Sequence, residues 1–127
     1  MSNSDISTLD EYKKITKEME MILDNIPGLI FYKDDKNNLI RVNKYFADAH
    51  KVPKEELKQK NYFDLYPKEQ AQSYWDDDME VINSGKAKIN IEEPWKTESG
   101  KAWVSTSKIP YIDKNNEVKG VNLYGYY

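Results

Sequence analysis

The last third of the chain constrains the fold most, because three strand-like runs follow one another with only short turns between them. Ala87 to Thr97, Lys101 to Ile112 and Glu117 to Tyr127 are separated by Glu98-Ser99-Gly100 and by Asp113 to Asn116. Runs rich in β-branched and aromatic residues, joined by Gly, Asn and Asp, predict consecutive antiparallel strands. Such a meander has a face to bury, so the rest of the chain must supply its cover.

The cover is legible upstream. From Ser7 to Asn25, apolar residues at Leu9, Tyr12, Ile15, Met19 and Ile22, continuing to Ile26, predict a one-faced helix that Pro27-Gly28 ends. Leu29 to Tyr32 and Leu39 to Val42 flank the turn Asp34 to Asn38 and read as a hairpin. Short helical pieces follow at Lys44 to His50, Lys54 to Lys60 and Tyr62 to Tyr66. A longer helix over Lys68 to Ser84 carries Ala71, Trp75, Met79 and Ile82 as its stripe, and Gly85 stops it. The order satisfies an α+β fold: a five-stranded antiparallel sheet with helices on one face, preceded by an N-terminal amphipathic helix.

A length of 127 residues suits one domain. Ten Tyr, three Trp and three Phe provide large side chains for its core. A net charge of −3, with acids and lysines interleaved, presents no basic face and argues against nucleic acid as a partner. The lack of cysteine removes disulfides and thiolate chemistry, and a single histidine argues against a transition-metal site. No run approaches the roughly 18 to 20 apolar residues of a membrane span, and no signal-peptide order is visible, so a cytoplasmic chain without membrane contact is expected. No nucleophile triad, Gly-rich phosphate loop or zinc spacing points to an enzyme.

Several segments resemble the PAS family. Leu39-Ile40-Arg41-Val42-Asn43-Lys44-Tyr45-Phe46 is similar to its second strand entering its first core helix, with Asn followed three residues later by Phe. Glu98-Ser99-Gly100-Lys101-Ala102-Trp103 resembles the turn between its third and fourth strands, and Ile109 to Val121 resembles its last turn and final strand. Asn116 stands where the family often has Gly, a position that Asn tolerates because it accepts positive φ. The resemblance implies a flanking helix over residues 1–22 and a PAS-like sensor domain over 23–127. It further implies a small-molecule ligand, a homodimer, and regulation of a linked effector domain such as a histidine kinase. The alternative is a ligand-free interaction and dimerisation module.

In this family ligands lie between the sheet and the long helix, so strand parity selects the candidates. Ile89, Ile91, Glu93 and Trp95 form the more apolar set of their strand and are expected to face inward. Trp103, Ser105, Ser107 and Ile109, then Gly120, Asn122 and Tyr124, are the corresponding sets of the next two. Phe31, Lys33 and Phe46 complete the wall by resemblance, and Trp75 and Met79 face it from the long helix, where a plain core role is the simpler reading. Lys33 and Glu93 either pair with each other or converge with the remaining polar groups on a ligand.

Haem is disfavoured because the long helix has no histidine and His50, in polar company, reads as a surface residue. Flavin photochemistry is disfavoured by the missing cysteine around Asn61 to Leu65. No cofactor is identified. Asp76-Asp77-Asp78 with Glu80 reads as a solvated helix face, since consecutive helical residues diverge by about 100°. Leu9, Ile15, Met19 and Ile22 are candidates for a dimer interface, or for a cap on the chain's own sheet beside Ile30, Tyr32, Ile40, Val121 and Leu123.

Overall fold

The computed structural model describes residues 3–58, 60–97 and 100–126, the side chains of 4, 96 and 97 excepted. Glu98 and Ser99 of the expected turn lie outside the described residues. In order, the elements are α1 (Asn3–Asp24), β1 (Leu29–Asp34), β2 (Leu39–Val42), α2 (Lys44–His50), α3 (Lys54–Leu57), a 3-10 turn (Tyr62–Asp64), α4 (Lys68–Ser84), β3 (Lys88–Thr97), β4 (Gly100–Ile112) and β5 (Val118–Tyr126). The strands form one antiparallel sheet in the order β2-β1-β5-β4-β3.

Local chemistry explains the boundaries. The Asp34 carboxylate accepts the backbone N–H groups of Lys36 and Asn38, each at 2.9 Å, and Asn37 takes φ 68° to close the first hairpin. Asp113 does the same for Asn115 and Glu117, and Asn116 adopts φ 63°, as its turn requires. Gly85 ends α4 in the left-handed region, its N–H reaching the Val81 carbonyl. Asn43 explains the Asn-to-Phe spacing. Its Oδ1 accepts from Phe46 N and Ile30 N, while Nδ2 donates to the carbonyls of Leu23 and Gly28, so one buried amide joins α1, β1 and α2.

The core lies between one face of the sheet and α2, α3 and α4, around Leu29, Phe31, Leu39, Phe46, Val81, Trp95 and Leu123. Parity holds on β1, where Leu29, Phe31 and Lys33 point inward, and over most of β3, where Trp95 is buried. A register shift between Lys88 and Ile91, with Asn90 at φ 55°, turns Ile89 out to solvent. On β4 and β5 the expected facing is reversed. The inner sets are Val104, Thr106 and Lys108, and Val121, Leu123 and Gly125; Trp103, Ser105, Ser107, Ile109, Asn122 and Tyr124 occupy the outer face. Hydropathy favoured the set containing Trp103 and Ile109, but β4 instead turns a lysine inward.

The α4 stripe is corrected likewise: its buried residues are Ala71, Tyr74, Asp78 and Val81, with Trp75, Met79 and Ile82 half-buried at the margins. Asp78 is therefore not part of a solvated face. At Gly120 an added Cβ would lie 2.0 Å from the Lys33 carbonyl oxygen, so only glycine lets β5 pass that close to β1.

Among the described residues, the stripe of α1 is left largely open to solvent. Leu9, Ile15, Met19 and Ile22 are exposed, and the helix is held at its C-terminal end, where Asp24 accepts from Lys44 N and pairs with Lys54 at 2.6 Å. No helix among the described residues is long and apolar enough to cross a membrane.

Candidate functional site

Three charged side chains from three elements meet without solvent. Lys33 of β1, Lys108 of β4 and Asp78 of α4 are each 0 % exposed. Lys33 Nζ donates to Asp78 Oδ2 and, at 2.8 Å, to Asn37 Oδ1, and lies 3.8 Å from the centre of the Tyr62 ring. Lys108 Nζ stands 3.1 Å from Asp78 Oδ1, 3.8 Å from Asp77 Oδ2 and 3.3 Å from the Tyr74 carbonyl. Burial pulls the Lys33 ammonium down to about 8, and the adjacent Asp78 carboxylate only partly opposes it. Such a cluster is costly to bury and is weak as a source of stability.

Beside it a cavity of about 20 Å³, space for one water, is bounded by Phe31, Tyr62, Tyr74, Glu93, Trp95 and Lys108 among others. Glu93 is hydrogen-bonded to Thr106; burial raises its carboxyl above the usual range, against the pull of Lys108. Tyr74, pushed up to about 12 by burial, donates to the Pro94 carbonyl at 2.7 Å and so closes the seam between α4 and β3. Tyr74 and Glu93 also line a surface pocket of about 370 Å³ on the other side of that seam, with Gln70, Pro94 and Lys101.

The second wall is aromatic and wired by hydrogen bonds. Phe31 packs on Phe46 at 4.5 Å, Phe46 stacks on His50 at 4.1 Å, and His50 meets Trp95 edge-on at 5.4 Å. His50 is buried, contrary to the surface position its neighbours suggested. Its Nδ1 faces the Phe46 carbonyl at 2.8 Å and must donate there, so Nε2 accepts from the Tyr66 hydroxyl at 2.6 Å. The Tyr66 oxygen in turn accepts from Trp95 Nε1 at 3.1 Å and Tyr62 Oη at 3.2 Å. A protonated His50 would leave the Tyr66 hydroxyl proton without an acceptor.

That wiring predicts a pH dependence. Burial lowers the His50 pKa below its ordinary value, more than the Phe46 carbonyl restores it. The unfolded chain then binds a proton that the folded one refuses, so stability falls as pH drops from about 6.5 toward the native pKa, by at most about 1.4 kcal/mol per pH unit from this group. Urea unfolding between pH 7.5 and 5 is expected to show the decline in the wild type. A His50→Asn variant with the same decline would assign it elsewhere.

Of the sequence-predicted pocket residues, Phe31, Lys33, Phe46, Glu93 and Trp95 come together here. Trp75 flanks the cluster, the Lys33 ammonium lying 5.7 Å from its ring, and Met79 is half-buried on α4. Trp103, Ser105, Ser107, Asn122 and Tyr124 are on the opposite face and drop out. Asp78, Lys108, Tyr62 and Tyr74 were missed. The available signal was a strand lysine at each of two places and a helix carrying three consecutive aspartates between them. Among the described residues, no group of three or more histidine or acidic side chains is placed to hold a metal ion.

No curated protein matches the chain in sequence. Among solved structures, the Vibrio cholerae VqmA–ligand–DNA complex superimposes with a TM-score of 0.76 at 17% identity, covering 86% of this chain and 49% of that one. The chain thus spans about half of VqmA. The PAS domain of a Colwellia psychrerythraea protein gives 0.72 at 15% identity, with 88% and 95% covered. The PAS domain of Bordetella pertussis BvgS gives 0.70 at 16% identity, with 88% and 85% covered. These likenesses establish the architecture, and a sequence profile described as the PAS fold matches residues 23–126, so the chain belongs to the PAS family.

Proposed function

We propose that the chain is the sensing module of a larger regulatory protein, holding a small molecule between the sheet and α4 and passing its state to an output such as a histidine kinase. The observation that carries this reading is the fully buried Lys33–Asp78–Lys108 set beside an aromatic-walled cavity. Convergent polar groups in an apolar pocket are what orient a small ligand. VqmA, a structural relative, is described as bound to DPO. Neither haem nor a cysteine-linked flavin belongs to the proposal, since α4 has no histidine, both His50 nitrogens are engaged, and the chain has no cysteine.

Mass spectrometry of denatured, freshly purified protein is expected to release a stoichiometric small molecule. Its stabilisation of the wild type should be lost in a Lys33→Met, Asp78→Leu, Lys108→Met triple variant, which removes the buried polar set as a whole, and equal stabilisation of both would reject the reading.

A second part of the proposal concerns assembly. The exposed stripe of Leu9, Ile15, Met19 and Ile22 is too apolar for solvent, and a groove of about 320 Å³ runs from Leu23 across Ile30, Ile109 and Tyr124 on the uncovered sheet face. We take α1 to meet a second copy there. Deleting the residues before Leu23 should give a monomer by solution mass, and a dimer that survives would exclude α1 as its main contact.

A further inference from the structure

Resting on the reading of the core as a ligand site, we infer that the ligand is a small, flat monoanion, such as a carboxylate on an aromatic skeleton, which takes the place of Glu93 opposite Lys108.

The inference starts from an imbalance between the two lysines. Asp78 commits Oδ2 to Lys33, which is also bonded to Asn37 at 2.8 Å. Lys108 receives what is left. Asp78 Oδ1 lies 3.1 Å away but makes no hydrogen bond, and Asp77 is 3.8 Å away. The one hydrogen bond of Lys108 to a described residue is the 3.3 Å contact to the Tyr74 carbonyl. An ammonium has three donors, and a fully buried one that shares its counter-ion and makes a single long hydrogen bond is the group that gains most from an incoming anion. Among the fully buried charges, two cations face one carboxylate.

Lys108 lines the cavity and Lys33 does not, so the weakly paired cation is the one a ligand would meet. The cavity walls are the rings of Phe31, Tyr62 and Trp95, which favour a planar skeleton.

Glu93 supplies the route, and its departure together with release of the Tyr74 seam would have to enlarge a cavity that now has space for one water. It is half-buried, lines both the inner cavity and the outer pocket, and interacts electrostatically with Lys108. A side chain with one face inward and one outward can swing into the outer pocket and leave its place opposite Lys108 to another anion. Tyr74, the other residue shared by both spaces, holds the seam through Pro94 and would have to release it. Asp77 and Asp78 of α4 act electrostatically on the position of Glu93, so the ligand's charge must be small: a dianion would be repelled.

Benzoate, benzamide and benzylamine share a phenyl ring, are close in size and differ in charge, which makes them the test set for the full chain. Benzoate is expected to raise the melting temperature in a concentration-dependent way, with the other two inactive. In Glu93→Gln, which removes the competing negative charge and no buried cation, benzoate should bind several-fold more tightly. In Lys108→Met, affinity should fall on the order of tenfold or more. Should Lys108→Met not fold, Glu93→Gln alone decides by the direction of its effect.

Equal or better stabilisation by benzamide or benzylamine, or weaker benzoate binding in Glu93→Gln, would overturn the anion inference and leave the ligand-binding core standing. Silence of all three on both wild type and Glu93→Gln also overturns it. The sensing reading falls with it only if freshly purified protein releases no small molecule.

Discussion

Asp78→Asn is expected to cost about 3–5 kcal/mol, a large share of the roughly 5–15 kcal/mol that holds an ordinary domain folded. The substitution is nearly isosteric, so the loss is not one of packing. It removes the shared counter-ion of Lys33 and Lys108, both 0 % exposed, and leaves two ammoniums facing each other across a neutral amide. Replacing all three groups by apolar ones of similar volume, in Lys33→Met, Asp78→Leu, Lys108→Met, should recover wild-type stability or exceed it, because the desolvation of all three charges disappears together. Urea midpoints of wild type, single and triple variants measure both effects. A single variant within about 1 kcal/mol of wild type would mean that the lysines do not depend on Asp78.

The second large effect separates two tryptophans. Trp95 is 4 % exposed, donates to the Tyr66 hydroxyl and packs edge-on against His50. Trp95→Ala should therefore cost about 3–5 kcal/mol. Trp103 is 70 % exposed on the outer face of β4, and Trp103→Ala should change monomer stability by no more than about 0.5 kcal/mol. Chemical denaturation of the two variants side by side gives the answer, and equal losses would contradict the observed facing of β4.

The tryptophans also show where the sequence could be read and where it could not. Elements were legible because their signals are local: the Lys68 to Ser84 helix carries a helical stripe between Pro67 and Gly85, and the turns after β1 and before β5 carry Asp and Asn at the required places. Facing was legible on most of β3, where the inner set is also the more apolar one, and on β1 through the family resemblance. It failed on β4 and β5. There the inner set contains Lys108, a residue that hydropathy sends to water and that is tolerated inside only because Asp78 arrives from an element thirty residues earlier. The same pairing disguised the buried face of α4, where an aspartate occupies a core position. His50 was missed for a related reason, since its partners Tyr66 and Trp95 are distant in sequence. A polar group inside a core is specified by its partners, and those partners are visible only once the chain has folded.

The position of β5 has a consequence for how the domain comes into being. β1–β2 and β3–β4 are hairpins that each form from neighbouring sequence, yet they do not touch as strands; β5, the last element, lies between them. Its pairing of Leu29 with Gly125 joins the two ends of the domain. During synthesis the two hairpins must therefore wait as separate pieces, each offering an unpaired edge, until the segment from Val118 to Tyr126 has left the ribosome. β5 pairs with β1 on one edge and with β4 on the other, and so brings Lys33 and Lys108, on the strands either side of it, to their common carboxylate.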